Sequence, residues 1–157
     1  MESEIFFGGS AVAAVTGAGA VRLPRFVRDA LCGRSLGGIV VGAHQTDPCL
    51  VTYPRAHVQT LLRDLDRRRI ADEAKDPEGH FRRARRIFGF AHELSVSGEG
   101  RLVLPRALRQ RGGIGSAALF VGIGRKVEIW ALDRALEAGD TSLRALAAVH
   151  ASEGRTR

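Results

Sequence analysis

The sequence contains the same fourteen-residue pattern twice, and this duplication constrains the fold more than any other feature. Residues 15–28 align without a gap with residues 96–109, an offset of 81 positions, and both copies share a valine, two glycines, a leucine, a proline and two arginines. In each copy an apolar residue precedes a glycine-containing turn, a short run leads to a proline, and an arginine-rich segment follows. Self-similarity at a fixed spacing indicates repeated structural units, so we predict two related halves.

Each copy has the residue types of a strand, a tight turn, a second strand and a short helix. The glycines of each turn allow the positive φ that a tight hairpin requires. Pro24 and Pro105 suit the first position of a helix, where no amide donor is needed. Each half is therefore predicted to begin with a hairpin that leads directly into a helix.

A second hairpin is predicted after each of these helices. Two β-rich runs at 39–43 and 49–53 flank a segment of turn composition, and runs at 117–122 and 126–131 repeat the arrangement. Each half therefore contains two hairpins with a helix between them.

The segment between the halves has helical periodicity. Apolar residues from Val58 to Leu65 recur with the spacing of one helix face, and Asp76 with Pro77 resembles a further helix start. We therefore predict an α+β fold of two half-domains related by a pseudo-two-fold axis. The predicted boundaries are 6–53 for the first half-domain, 54–88 for a helical connector, 89–139 for the second half-domain and 140–157 for a flexible tail.

The charge balance indicates an anionic partner. The chain of 157 residues has 24 Lys and Arg against 17 Asp and Glu, a formal net charge of +7. Only Lys75 and Lys126 are lysines, and arginine is the residue suited to bidentate contact with phosphate or guanine. A GC-rich genome would explain the preference for arginine equally well, but it explains the net charge less easily.

No pattern of a catalytic, cofactor or metal site stands out. The paired glycines at 17 and 19 and at 122 and 124 do not continue into a nucleotide-binding loop, and the five histidines lack metal-ligand spacing. Ser10 and Cys49 lack a recognisable base for nucleophilic catalysis. We therefore predict no enzyme activity, no cofactor and no metal.

The sequence also predicts a cytoplasmic location. An acidic start without an apolar signal segment follows the initiating Met1, and no run of about 18 apolar residues occurs. Cys32 and Cys49 have no paired motif and are expected to be reduced.

Together, these motifs resemble the MraZ family of bacterial regulators, whose halves each have the swapped-hairpin fold of AbrB-like DNA-binding domains. The resemblance extends over roughly residues 6–140. The matching segments are Gly100-Arg101-Leu102, Leu104-Pro105, Leu108-Arg109, Asp47-Pro48-Cys49-Leu50 with Tyr53-Pro54, and Val121-Gly122-Ile123-Gly124 with Glu128-Ile129-Trp130. Where the family pattern has a turn aspartate, this chain has Thr16 in the first half and Ser97 in the second. Where the pattern has a turn arginine, the chain has Ala20 in the first half and Arg101 in the second.

The resemblance implies that the first-hairpin surface faces DNA. Arginines there can neutralise phosphates, and strands can enter the major groove. The candidate DNA-binding residues are Arg22, Arg25, Arg28, Arg101, Arg106 and Arg109. The four arginines on the two helices also fit a solvated helix face. The arginine runs at 67–69 and 82–86 fit solvent, DNA or a subunit interface.

The resemblance further implies a sequence-specific or semi-specific transcriptional regulator. It would act as a ring-like homo-oligomer on repeats in the promoter of its own division and cell-wall operon, in association with the nucleoid. The alternative is a diverged paralogue that keeps the fold and assembly but serves as a protein-interaction module.

Overall fold

The computed structural model describes residues 5–31 and 38–155, and these form a mixed α/β fold. The strands are β1 Ser10–Ala14, β2 Ala20–Arg22, β3 Ile39–Ala43, β4 Leu50–Pro54, β5 His92–Leu94, β6 Arg101–Val103, β7 Ala117–Gly122 and β8 Val127–Ala131. The helices are α1 Arg25–Leu31, α2 Val58–Lys75, α3 Gly79–Phe88, α4 Arg106–Gly112, α5 Leu132–Leu136 and α6 Thr141–Arg155, with a 3-10 turn at Arg55–His57 before α2.

The strands form two antiparallel sheets that reflect the duplication. The larger sheet has the order β1-β7-β8-β4-β3-β5, and the smaller one consists of β2 and β6. Exchanging each strand for its counterpart in the other half reverses the six-strand order and so leaves the sheet unchanged. The outer strands β1 and β5 each pair with the third strand of the opposite half, β7 and β3 respectively.

The two glycine turns have the same hydrogen bonds and exchange a further pair across the halves. The amide of Gly19 donates to the carbonyl of Thr16 at 2.9 Å, and the amide of Gly100 donates to that of Ser97 at 2.9 Å. The amide of Leu23 donates to the Gly100 carbonyl at 2.8 Å, and the amide of Leu104 donates to the Gly19 carbonyl at 2.9 Å. Gly19 and Gly100 have φ of 91° and 81°, which confirms the predicted positive φ for one glycine of each turn; Gly17 and Gly98 do not have a positive φ.

The two halves fill one shared hydrophobic core. Its buried side chains include three pairs of residues that the duplication relates: Val21 and Leu102, Leu23 and Leu104, and Val27 and Leu108. Val15 is buried in the same cluster, and Val96 packs against it. Equivalent positions in the two copies therefore occupy equivalent environments, as the repeat predicted.

The connector is helical and packs on one face of the larger sheet. Leu61 and Leu65 of α2 and Ile87 of α3 form a second cluster with β3 and β4. The third helix begins at Gly79, later than Asp76 and Pro77 suggested, because residues 76–79 form a turn in which the Gly79 amide donates to the Asp76 carbonyl at 2.8 Å and the Glu78 amide donates to the Asp76 carboxylate at 3.1 Å.

Most of the segment 140–157, for which we predict a flexible tail, is helical in the structure. Residues Thr141–Arg155 form α6, which buries Leu143 and Ala147 against Leu119, Trp130 and Ala135. The Asp140 carboxylate accepts the amide of Leu143 at 2.8 Å, at the start of the helix. Little in the sequence indicates that this helix packs on the fold, because the segment is rich in alanine and has few large apolar residues. Two buried residues four positions apart on one helix face nevertheless suffice to pack the helix against its neighbours.

Candidate nucleic-acid interface

The short β2–β6 sheet has one buried and one outward face. Val21 and Leu102 pair at its centre and are 3% exposed. Because side chains alternate along a strand, the flanking positions point the other way. We call this outward surface the ladder face; its residues are Ala20, Arg22, Arg101 and Val103.

Arg22 and Arg101 lie directly opposite each other on the ladder face. Both are exposed, and Glu99 provides local partners: its carbonyl accepts from Arg22 Nε at 3.1 Å, and its carboxylate is 3.6 Å from Arg101 Nε. The carboxylate pair is highly exposed and therefore weak. Like charges directly opposite in a ladder are unfavourable, so this pair of cations can readily accept a bound anion.

Arg25 and Arg106 occupy equivalent positions at the starts of α1 and α4. Each follows a proline that comes soon after a ladder strand, so each lies close to the ladder face along the chain. Both side chains are exposed, and Arg25 has a solvent-exposed ion pair of 3.5 Å with Asp29. These arginines add exposed positive charge on both sides of the ladder face.

Arg28 and Arg109, the other two candidate residues, contact the turns instead. Arg109 donates from Nε to the Leu104 carbonyl at 3.1 Å and from Nη1 to the Gly17 carbonyl at 3.0 Å. The Arg28 side chain lies against Gly100, and its buried Nε has no hydrogen-bond partner among the described residues. Each half therefore places one helical arginine against the turn of the other half.

Comparison with known proteins identifies the family. Over 124 residues the chain is 32% identical to a transcriptional regulator MraZ of Saccharophagus degradans, which covers 79% of this chain and 81% of that protein. The chain belongs to the MraZ family. Proteins of the same name from Azotobacter vinelandii and Alcanivorax borkumensis are 29% identical over 143 residues and 31% identical over 125 residues, covering 89% and 79% of this chain and 89% and 82% of their own lengths. No protein-family model matches the sequence.

Hydroxyl groups stand at the turn positions where the MraZ family pattern has aspartate. Thr16 Oγ1 accepts the Ala20 amide at 3.0 Å, and Ser97 Oγ accepts the Arg101 amide at 3.1 Å. Threonine and serine side chains commonly close turns in this way. Both turns thus have a neutral side-chain acceptor for the turn backbone, and position 97 carries no negative charge.

The sequence missed one cluster of possible metal-binding side chains. His44, Asp47 and Glu128 bring ligand atoms within 4.8 Å of one another, with the glutamate supplied by the distant strand β8. However, His44 Nδ1 accepts the amides of Thr46 and Asp47 at 3.1 and 2.9 Å. The ring proton of the neutral form therefore lies on Nε2, which faces Glu128 at 3.4 Å. His44 is thus hydrogen-bonded to the backbone of its own turn and lies beside Glu128, and a metal bound at Nε2 would have to displace that proton.

The Cys49 thiol, for which the sequence shows no recognisable base, is buried in the folded chain. Cys49 is 2% exposed, and burial raises its pKa far above the usual range, with further contributions from Glu128 and Asp47. Reactive cysteines have lowered pKa values instead. Cys32, the other cysteine of the chain, lies outside the described residues.

Several arginines of the connector pair within the chain itself. Arg83 donates from Nε and Nη2 to the Asp72 carboxylate at 2.7 and 2.9 Å, and these hydrogen bonds lower the pKa of Asp72. Arg69 pairs with Glu73 at 2.8 Å along α2. The Arg83–Asp72 pair joins α3 to α2, whereas the Arg69–Glu73 pair lies within α2. No helix in the described part of the chain is long and apolar enough to cross a membrane.

Proposed function

We propose that this protein is a transcriptional regulator that binds DNA through the ladder face and the adjoining starts of α1 and α4. The observation that carries the proposal is the pairing of exposed Arg22 with exposed Arg101 on the outward side of a two-stranded sheet. The related proteins named transcriptional regulator MraZ support the regulatory role. A two-stranded ribbon fits the major groove of DNA.

The six candidate arginines have two roles in this proposal. Arg22, Arg25, Arg101 and Arg106 are exposed and contact the DNA backbone. Arg28 and Arg109 are half-buried against the glycine turns and hold the ladder in position. Because the turns carry Thr16 and Ser97 hydroxyls, phosphate contacts supply most of the affinity and base discrimination is modest.

We propose that the two halves, at 6–53 and 89–139, are tandem swapped-hairpin domains. The pairing of β1 with β7 and of β5 with β3 supports this assignment, because each half lends a strand to the other. The chain acts in the cytoplasm at the nucleoid, on the promoter of its own division and cell-wall operon.

The assembly we propose is a ring-like homo-oligomer. Two apolar side chains on the connector support self-association: Ile70 is 85% exposed and Phe81 is 49% exposed. Contiguous exposed apolar patches rimmed by polar residues are typical of contact surfaces between proteins. Light scattering should report a multiple of the 16.9 kDa chain mass, whereas a monomer at micromolar concentrations would refute the assembly.

A competition experiment tests the DNA-binding function. Labelled duplex from the upstream promoter is displaced with unlabelled promoter or random duplex, for the native chain and for Arg25→Ala with Arg106→Ala. We expect binding to both duplexes, a modest preference for the promoter, and weaker binding of both by the variant. The matched control, Arg67→Ala with Arg144→Ala, removes the same charge from α2 and α6 and should bind nearly as the native chain does.

Absence of binding to either duplex at low salt would contradict the proposal and favour a protein-interaction module. Promoter binding that survives the Arg25 and Arg106 substitutions but disappears in the control would show that the DNA surface lies elsewhere.

A further inference from the structure

We propose that the two ends of the ladder face are unequal, and that the protein contacts the DNA phosphates from the end that carries Arg22 and Arg101. This inference rests on the proposed DNA-binding function and specifies which part of the surface performs it. The partner it describes is the phosphodiester backbone of a duplex, contacted mainly on one side of the pseudo-two-fold axis, with Arg106 alone on the other side.

The backbone of the two ends is equivalent. The same turn hydrogen bonds recur at 16–19 and at 97–100, and the cross-half bonds to the carbonyls of Gly19 and Gly100 are 2.9 and 2.8 Å long. The register pairs Ala20 with Val103 at one end and Arg22 with Arg101 at the other. A difference in DNA contact between the ends must therefore come from the side chains.

The side chains of the ladder face break the symmetry completely. The offset of the duplication relates Arg22 to Val103 and Arg101 to Ala20. If the two halves are exchanged about the pseudo-two-fold axis, each ladder arginine therefore falls on a position whose side chain is uncharged. Both cations lie at the end beside the 97–100 turn, which we call the arginine end. The end beside the 16–19 turn is the apolar end, where Val103 is 57% exposed.

The neighbouring helices reinforce the difference. Leu23 bonds to Gly100, so Arg25, two residues later, starts α1 on the side of the arginine end. Its counterpart Arg106 starts α4 on the other side, where it is the one exposed arginine of the six candidates. Three exposed arginines therefore adjoin one end and one adjoins the other.

Repulsion between the two ladder arginines favours the binding of an anion at the arginine end. Directly opposed cations in a ladder repel each other. Glu99 offsets this repulsion only weakly, with an exposed carboxylate 3.6 Å from Arg101 and a carbonyl that accepts one hydrogen bond from Arg22. A phosphate placed between the two guanidinium groups would relieve the repulsion and accept charge-assisted hydrogen bonds. The apolar end offers no ladder cation for the same role.

Three paired substitutions test the inference. Arg22→Gln with Arg101→Gln removes the arginine end, and Ala20→Gln with Val103→Gln places the same side chains at the apolar end. The third variant combines Arg22→Gln and Arg101→Gln with Ala20→Arg and Val103→Arg, which moves the cation pair across the axis. Each variant is first compared with the native chain by circular dichroism and thermal unfolding, and binding to a labelled duplex is then measured over a range of salt concentrations.

We expect removal of the arginine end to weaken binding and to reduce the salt slope by about 0.9 for each phosphate that is no longer neutralised. The glutamine pair at the apolar end should leave the slope unchanged, and the transplanted pair should restore most of the affinity. Equal weakening by both glutamine variants, or no rescue by a folded transplant variant, would overturn the inference while the DNA-binding function stands. Failure of the native chain to bind duplex at low salt would instead overturn the function itself.

Discussion

The side chain of Arg28 lies against Gly100, the turn glycine of the opposite half. Arg109 has the same relation to Gly19. An arginine of each helix that follows a ladder strand therefore packs against the turn of the other half. The position of the ladder face depends on both halves being folded together. The glycines are required at these two places by conformation as well as by space, since φ is 81° and 91°.

We predict that Gly100→Ala destabilises the fold by about 1–3 kcal/mol, because an alanine must adopt a positive φ and displace Arg28. Thermal unfolding measures the effect. The matched control is Gly98→Ala in the same turn, where an added Cβ would meet nothing within 4 Å. Equal melting temperatures for the two variants would show that the arginine contact does not restrict the turn.

The C-terminal helix offers a second test of packing. Leu143→Ala should lower the free energy of unfolding by about 2 kcal/mol or more, because it opens a cavity among Leu119, Trp130 and Ala147. Val149→Ala is the control, since Val149 is 55% exposed on the same helix. If both variants unfold with the same free energy as the native chain, α6 is not docked in solution.

Cys49 predicts a dependence of stability on alkaline pH. Burial raises the pKa of its thiol in the folded chain, so the folded state holds the proton that the unfolded state releases. The contribution of the thiol is complete below the ordinary pKa of about 8.5 and decreases as the pH rises above it, by up to about 1.4 kcal/mol per pH unit.

Denaturant unfolding in a Cys32→Ser background, with and without Cys49→Ala, measures this dependence. The free energy of unfolding of the chain with Cys49 should decrease, relative to that of the Cys49→Ala chain, between roughly pH 8 and pH 10. In native buffer the Cys49 thiol should also resist alkylation until the chain unfolds. Rapid alkylation of the folded protein would show that the site is open to solvent.

The repeated motif predicted the glycine turns and the short helices that follow the prolines, but the first predicted hairpin of each half is wrong as a strand pair, because β1 pairs with β7 and β2 pairs with β6. Turn glycines, helix-starting prolines and alternating apolar residues act locally, so Gly19, Pro24 and Val21 could be interpreted from their neighbours alone. The exchange of β1 and β5 between the halves could not be predicted in this way, because the residues that choose a strand's partner lie far along the chain.

The candidate site was only partly predictable for the same reason. Exposure of Arg22 and Arg101 followed from alternation around the buried Val21 and Leu102. By contrast, the packing of Arg28 on Gly100 joins residues that only the folded chain brings together. The same holds for the contact of His44 with Glu128 across two strands. Sequence patterns predicted which strands and helices carry the charges, but not which of the charged side chains contact other parts of the fold.

The salt dependence of DNA affinity tests the central claim most directly. Four exposed arginines at the ladder face and adjoining helix starts should each neutralise about one phosphate, so the logarithm of the association constant should fall against the logarithm of salt with a slope of roughly −3 to −4 per chain bound. Equilibrium anisotropy with a labelled duplex gives this slope. A slope in that range supports DNA binding through this surface. A flat salt dependence, or no detectable binding at about 50 mM salt, would contradict it.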